Sequence, residues 1–265
     1  MKKLKPKKFL GQHFLNNEEV SIRIIKKIDI TNIETIIEVG PGMGVLSRHI
    51  IKLKKKLVFV EIDSDAVNYL KDAYNGISDH IINQDFLKLD IQKFKSPIAI
   101  VGNFPYNISS QIVFKIIENR NSVSQMVGMF QKEVAQRICS KPGSKVYGIL
   151  SVLTQAFFST NFLFSLKPSF FDPPPKVESS VVEFSRNQTK KLKCNEDLFF
   201  IIVKKSFQQR RKTLKNSLKT FNLSKILKED VIFEKRPETL SIEDFVLLTN
   251  IIENGTVPTF RRINK

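Results

Sequence analysis

Thr35-Ile36-Ile37-Glu38-Val39-Gly40-Pro41-Gly42-Met43-Gly44 is an apolar, β-branched run that stops in a glycine loop. Reading it as a buried strand that turns into a helix decides the fold. Glycine in such a loop permits positive φ and lets a ligand approach the backbone closely. The alternation continues downstream. Val45 to Leu53 has helical spacing, Leu57-Val58-Phe59-Val60 reads as the next strand, and Asp65 to Ala73 as the next helix. His80-Ile81-Ile82, Pro97 to Val101 and Gln125 to Phe130 predict further strands, and Ser109 to Glu118 a helix. Strands alternating with helices imply a parallel sheet covered on both faces. Ala156 to Leu166 and Ser179 to Phe184 are β-rich without a long helix between them, which predicts an antiparallel hairpin closing one edge.

Upstream, residues 1–8 hold five lysines and a proline, the composition of a flexible basic arm. Asn16-Asn17-Glu18-Glu19 reads as a helix start, with acidic residues suited to a helix N-terminus. Downstream, Asn187-Gln188-Thr189-Lys190-Lys191 is a polar linker, and beyond it only helical patterns appear: Glu196 to Ser206, Arg211 to Leu218 and Ile242 to Ile252. The expected division is an α/β domain over residues 1–188 and a small all-helical domain over residues 189–265.

The chain carries 43 basic against 26 acidic residues, a formal charge of +17. The last 77 residues hold 17 of those basic residues against 9 acidic ones, about double the charge density of the rest. Such an excess favours a polyanionic partner, nucleic acid before an anionic membrane. No apolar run approaches the roughly 18 residues of a membrane span, and no signal-peptide core follows the basic start. Cys139 and Cys194 have no CxxC partner and read as reduced thiols of a cytoplasmic protein. His13, His49 and His80 show no metal-ligand spacing, and no metal is expected.

The chemistry is concentrated where strands end. Gly40 and Gly42 follow the first strand; Glu61 ends the second, placed to accept both hydroxyls of a ribose; Asp85 ends the third, placed to accept an adenine amine. Ligands of open α/β sheets bind outside those carboxyl ends, so the three together predict an adenosine-bearing cofactor, NAD or S-adenosylmethionine. The fourth strand end carries Asn103-Phe104-Pro105-Tyr106. An amide oxygen, a carbonyl before proline and an aromatic ring suit a flat ring bearing an amine, although Asn-x-Pro also makes a plain turn. A methyl donor acting on an exocyclic amine needs such a set and a hydride carrier does not.

With these motifs the chain resembles the S-adenosylmethionine-dependent rRNA adenine N6,N6-dimethyltransferases, most closely the bacterial small-subunit group. Phe9-Leu10-Gly11-Gln12-His13-Phe14-Leu15, the four strand ends, Gln131 to Arg137, Pro142 to Gly148 and Phe171-Asp172-Pro173-Pro174-Pro175-Lys176-Val177-Glu178-Ser179 carry the resemblance. Phe207 to Leu214 and Arg236 to Leu240 are similar to the small-subunit group rather than to relatives that confer macrolide resistance through large-subunit rRNA. The resemblance implies a Rossmann-like methyltransferase sheet and a helical rRNA-binding tail. It implies dimethylation of two adjacent adenosines in the loop of the 3′-terminal hairpin of 16S rRNA, a part in small-subunit biogenesis, and a monomer. A large-subunit rRNA enzyme and a non-catalytic ribosome-assembly factor are the alternatives.

By the same resemblance, Gln12, His13, Leu15, Gly40, Gly42, Glu61, Asp85 and Asn103 contact the cofactor. Asn103, Phe104, Pro105 and Tyr106 hold the base, with Tyr106 and Phe171 stacking on its two faces. Phe104 stands where the family usually has leucine or isoleucine; its backbone is the functional part, and its larger ring is expected to tighten the base pocket. Lys204, Lys205, Arg210, Arg211, Lys212 and Lys215 are expected on rRNA phosphates.

Overall fold

Thr35–Val39 (β2) is buried along its whole length and runs between two parallel neighbours, Lys56–Glu61 (β3) and Ile98–Asn103 (β5). Burial on both faces explains its unbroken apolar run. The computed structural model describes residues 4–221 and 223–255. In chain order the first part contains Phe14–Leu15 (β1), Glu18–Ile25 (α1), β2, Ser47–Ile50 (α2), β3, Ser64–Ala73 (α3), Ile81–Asn83 (β4), β5, Ser109–Glu118 (α4), Val123–Gln131 (β6) and Lys132–Cys139 (α5). Ile149–Gln155 (α6), Phe158–Leu166 (β7), Phe171–Asp172 (β8) and Ser179–Arg186 (β9) follow. Then come the helices Glu196–Gln208 (α7), Leu214–Ser217 (α8) and Ile242–Asn254 (α9).

Seven strands form one sheet in the order β4-β3-β2-β5-β6-β9-β7, and β1 pairs with β8 in a separate two-stranded ribbon. The strands from β4 to β6 are parallel; β9 runs antiparallel to both β6 and β7 and closes the edge as expected. From β2 the chain steps outward through β3 and β4, then returns on the other side with β5. That reversal opens a crevice above the carboxyl ends of β2 and β5, the place where such sheets bind ligands. The chain groups into two units: Met1–Gln136 with Phe158–Asn187, and Arg137–Phe157 with Gln188–Lys265. The second unit has its own aromatic core, in which Phe245 meets Phe199 and Phe207. Buried Tyr147, from residues 137–157, donates to the Leu240 carbonyl there at 3.0 Å.

Several expectations change. The helix over Val45 to Leu53 contracts to α2 between turns. The helix over Arg211 to Leu218 contracts to α8, because Lys212 N closes a turn on Gln209 O and Leu214 N bonds the Lys235 carbonyl. The basic arm is not free through residue 8, since Lys7 is ion-paired to Asp63. The arm's first three residues and the last ten residues of the tail lie outside the described residues.

Phe104 is the clearest correction. Its ring points into the sheet core, 1% exposed, with its centroid 5.1 Å from that of Phe130. It therefore does not narrow a base pocket. Gly102 and Gly128 make room for it: a Cβ on Gly128 would lie 2.1 Å from the ring. Gly128→Ala is therefore expected to destabilise the fold by about 1–3 kcal/mol through overpacking. Adding Phe104→Leu to it should recover part of that loss, as measured by denaturant unfolding of both single variants and the double variant.

Candidate active site

The carboxyl ends of β2, β3 and β5 and the loop after β4 open on one cavity of about 230 Å³. Of the expected cofactor residues, Gln12, His13, Gly40, Gly42, Glu61, Asp85 and Asn103 line it, as do the expected base-binding residues Phe104, Pro105 and Tyr106. Two expected residues lie outside this cavity, although Leu15 borders a smaller one beside it with Gly40 and Asn103. Leu15 packs in the hydrophobic core, and Phe171 lies opposite it across the β1–β8 ribbon, 3% exposed and in the same core. Neither lines this cavity, because pairing in the ribbon turns both side chains into the sheet's packing face.

Gly40 has φ +66°, and a Cβ there would meet nothing within 4 Å, so the backbone borders open space. Glu61 is buried, and each of its oxygens accepts a backbone N–H: Oε2 from Gly42 at 3.1 Å and Oε1 from Asp63 at 2.9 Å. Burial raises its pKa above the usual carboxylate range, against the pull of those N–H groups. Each oxygen keeps a lone pair for a hydroxyl donor. Asp85 Oδ1 accepts from Leu87 N at 2.9 Å, which leaves its other oxygen for a ligand amine.

Asn103 is oriented by a single contact. Its Nδ2 donates to the His13 carbonyl at 2.6 Å. A carbonyl only accepts, so the NH₂ must face it and Oδ1 must face away. None of the described hydrogen bonds ends on Asn103 Oδ1 or on the Phe104 carbonyl. The Pro105 carbonyl accepts from Ser109 Oγ at 3.1 Å, which turns the chain into α4. His13 bonds the Pro173 carbonyl through Nδ1 at 2.7 Å, so that nitrogen carries the proton. Its ring stacks on Tyr106, with centroids 5.5 Å apart and planes at 27°. The Tyr106 hydroxyl bonds Ser179 Oγ, and burial raises its pKa.

Three further residues belong to this constellation and were not read as site residues. Ser179 fixes the Tyr106 ring. Asp63 anchors Gln12, whose Nε2 it accepts at 2.9 Å. Glu38 is almost fully buried beside the cavity and accepts from Ser47 Oγ at 2.7 Å. Desolvation pushes its pKa to about 8, with the nearby Glu61 charge adding and the Ser47 bond opposing. Glu38 stood inside the quoted first strand and Asp63 two residues after Glu61, but their partners lie 9 and 51 residues away, and no local pattern marks them.

In the tail, Arg211 and Lys212 are exposed in the turn after α7, and Lys204 and Lys205 lie on α7. Arg210 is committed elsewhere: its Nε bonds Glu238 at 3.3 Å and its guanidinium also bonds the Ser144 carbonyl at 3.2 Å. Those bonds tie it within its own unit, with its side chain still 38% exposed. Lys215 forms an exposed pair with Glu234 at 3.3 Å, of a kind that contributes little and exchanges readily. No described helix is long and apolar enough to cross a membrane.

The family description "Ribosomal RNA adenine dimethylase" matches residues 3–254. A protein named ribosomal RNA small subunit methyltransferase A from Flavobacterium johnsoniae is 51% identical, over 96% of this chain and 98% of its own length. The protein of the same name from Bacteroides thetaiotaomicron is 50% identical, over 96% and 97%. Among solved structures, a dimethyladenosine transferase from Plasmodium falciparum matches with a TM-score of 0.79 at 26% identity, over 91% of this chain and 98% of that one. The 23S rRNA methyltransferase ErmE shares the fold, with a TM-score of 0.67 at 22% identity over 89% of this chain and 99% of its own.

Glu38 makes the site's pH response testable. Its folded pKa lies above the ordinary 4.5, so the folded state binds the extra proton between about pH 4.5 and 8. Stability therefore falls as pH rises through that window and levels off above it. Glu38→Gln, which copies the protonated form, should match the parent near pH 5 and exceed it by up to a few kcal/mol at pH 8. Unfolding curves of the two proteins at matched pH measure the difference.

Proposed function

The chain belongs to the ribosomal RNA adenine dimethylase family, and from that premise we propose that it dimethylates the N6 amine of adenosines in small-subunit rRNA with S-adenosylmethionine as donor. The target the family resemblance implies is the pair of adjacent adenosines in the 3′-terminal hairpin loop of 16S rRNA. The enzyme acts there as a cytoplasmic monomer during small-subunit biogenesis. The observation that carries the reading is the Asn103–His13 bond, which leaves an amide oxygen and the neighbouring Phe104 carbonyl as two adjacent acceptors at the cavity.

The residues present fit the donor. Its adenosine offers an amine and two ribose hydroxyls, and Asp85 and Glu61 are acceptors with lone pairs to spare. The open backbone at Gly40 leaves room for a chain to pass close by. When bound, S-adenosylmethionine supplies a methyl group made electrophilic by its sulfonium. Everything else falls to the protein. An adenine amine is weakly nucleophilic because its lone pair is delocalised into the ring. Accepting both of its N–H groups, on Asn103 Oδ1 and the Phe104 carbonyl, draws the nitrogen toward tetrahedral geometry and orients its lone pair. No strong base is required beforehand, since the amine's acidity rises once it is methylated.

The base must leave its stack to enter. Tyr106, held by Ser179 and backed by His13, supplies an aromatic face, an interaction of roughly 1–3 kcal/mol. With Phe171 in the core, the second face is left to other cavity walls. Exposed Arg211 and Lys212, with Lys204 and Lys205 on α7, suit contacts to rRNA phosphates.

Transfer of labelled methyl groups to small subunits lacking the modification tests the reading; label appearing only on large subunits would overturn it. Asn103→Ala is expected to lose about 100-fold or more in single-turnover transfer while still binding cofactor. Near-normal turnover would remove Asn103 from the chemistry. Arg211→Ala and Lys212→Ala should each lower the slope of log affinity against log salt by about 1. An unchanged slope returns those residues to plain solvated surface.

A further inference from the structure

The chain before the β1–β8 ribbon is held by one shielded carboxylate. The Asp63 side chain is 0% exposed and accepts three donors: Lys7 Nζ at 2.5 Å, Gln12 Nε2 at 2.9 Å and its own helix's Asp65 N at 3.0 Å. Lys7 Nζ also meets Asp65 at 2.7 Å, and Lys7 N donates to Gln12 Oε1 at 2.7 Å. Residues 7–12 are thereby closed into a ring on Asp63. Capping α3 requires only the Asp65 bond. The other two bonds serve the N-terminal segment, whose residues Leu10, Gly11 and Gln12 wall the cavity.

The far end of that wall is fixed independently. Phe14 and Leu15 pair with β8, and His13 is bonded to Pro173 and Asn103. The segment from Lys7 to Gln12 therefore has its own anchor, separate from the contacts that orient the Asn103 amide. Protonation agrees with a closed latch. Burial alone would raise the Asp63 pKa, but the bonds from Lys7 and Gln12 outweigh it and hold it low. The bonds to Asp63 and Asp65 hold the Lys7 pKa high.

We propose that Asp63 is a positioning residue that latches Lys7–Gln12 over the cavity through Lys7 and Gln12, and that this latch sets how long S-adenosylmethionine and its demethylated product are retained. The inference rests on the cofactor reading above. It separates retention, governed by the 7–12 ring, from chemistry, governed by Asn103.

The test is calorimetric and stopped-flow binding of S-adenosylmethionine and S-adenosylhomocysteine to the full chain. The proteins compared are the parent, Lys7→Ala, Asp63→Asn and the double variant. Each single change should weaken binding about tenfold, equivalent to about 1.4 kcal/mol, through faster dissociation. The double variant should be no weaker than the worse single one, because both remove the same latch. For Lys7→Ala, the KM for the methyl donor should rise, turnover at saturating donor should stay within about threefold, and the melting temperature should fall only modestly, because Asp63 keeps its bonds from Gln12 and Asp65. Lys7→Arg should restore part of the affinity. Parent-like binding by Lys7→Ala, or additive losses in the double variant, would overturn the latch. Lys7 lies outside every helix, so its result decides even if Asp63→Asn folds poorly. Absence of binding by the parent would instead overturn the cofactor reading.

Discussion

One hydrogen bond organises the site: the Asn103 amide donating to the His13 carbonyl, 90 residues earlier in the chain. It joins the end of the central parallel strands to the segment that precedes the sheet. Without that carbonyl the amide could turn either way, and a primary amide presenting NH₂ to an amine would repel what it should accept. With it, the oxygen faces the cavity in the absence of any ligand. The orientation is built before binding, so it costs no reorganisation when a base arrives. The β1–β8 ribbon is what places His13 there, which makes a two-residue pairing as consequential for the chemistry as the seven-stranded sheet.

Three carboxylates are withdrawn from water in the same neighbourhood: Glu38, Glu61 and Asp63, none more than 4% exposed. A buried carboxylate is costly unless it is neutralised, hydrogen-bonded or paired with a cation. Each of these meets the cost differently. Glu38 tends toward its protonated form and bonds a serine hydroxyl. Glu61 takes two backbone N–H groups, and Asp63 takes an ammonium, an amide and a helix N-terminus. The arrangement leaves Glu61 as the carboxylate with acceptor capacity directed at the cavity. Protonation of Glu38 also removes a like charge from beside it.

The sheet was legible because its signal is local. Apolar runs ending in glycine or a carboxylate recur with helices between them, and the strand ends inherit their position from that alternation. What stayed hidden depends on pairing over long separations. Nothing near Asp63 announces Lys7 and Gln12, and nothing near Arg210 announces Glu238 and Ser144. Phe171 was placed on the base because its motif resembles one at the site, but a motif identifies a segment and not the face its rings present. The β8 register turned that ring inward. The Arg211 to Leu218 helix failed for a related reason, since the Leu214 N–H bonds the distant Lys235 carbonyl rather than a carbonyl of its own helical repeat.

Phe104 shows how a larger side chain within the tetrapeptide can leave the acceptors at the cavity in place. The peptide must present the Asn103 side chain, the residue-104 carbonyl and the Tyr106 ring toward the cavity. Alternation along a strand then sends the side chain of residue 104 the other way, into the sheet. A larger residue at 104 therefore challenges core volume, not base recognition. Room for the ring comes from Gly128 on β6 and Gly102 on β5, both of which approach it closely. Identity at this position is thus coupled to one glycine on the strand it follows and one on the neighbouring strand. The carbonyl proposed to accept the amine depends on where the backbone runs, which the Phe104 N–H bond to Met129 at 3.3 Å helps to hold.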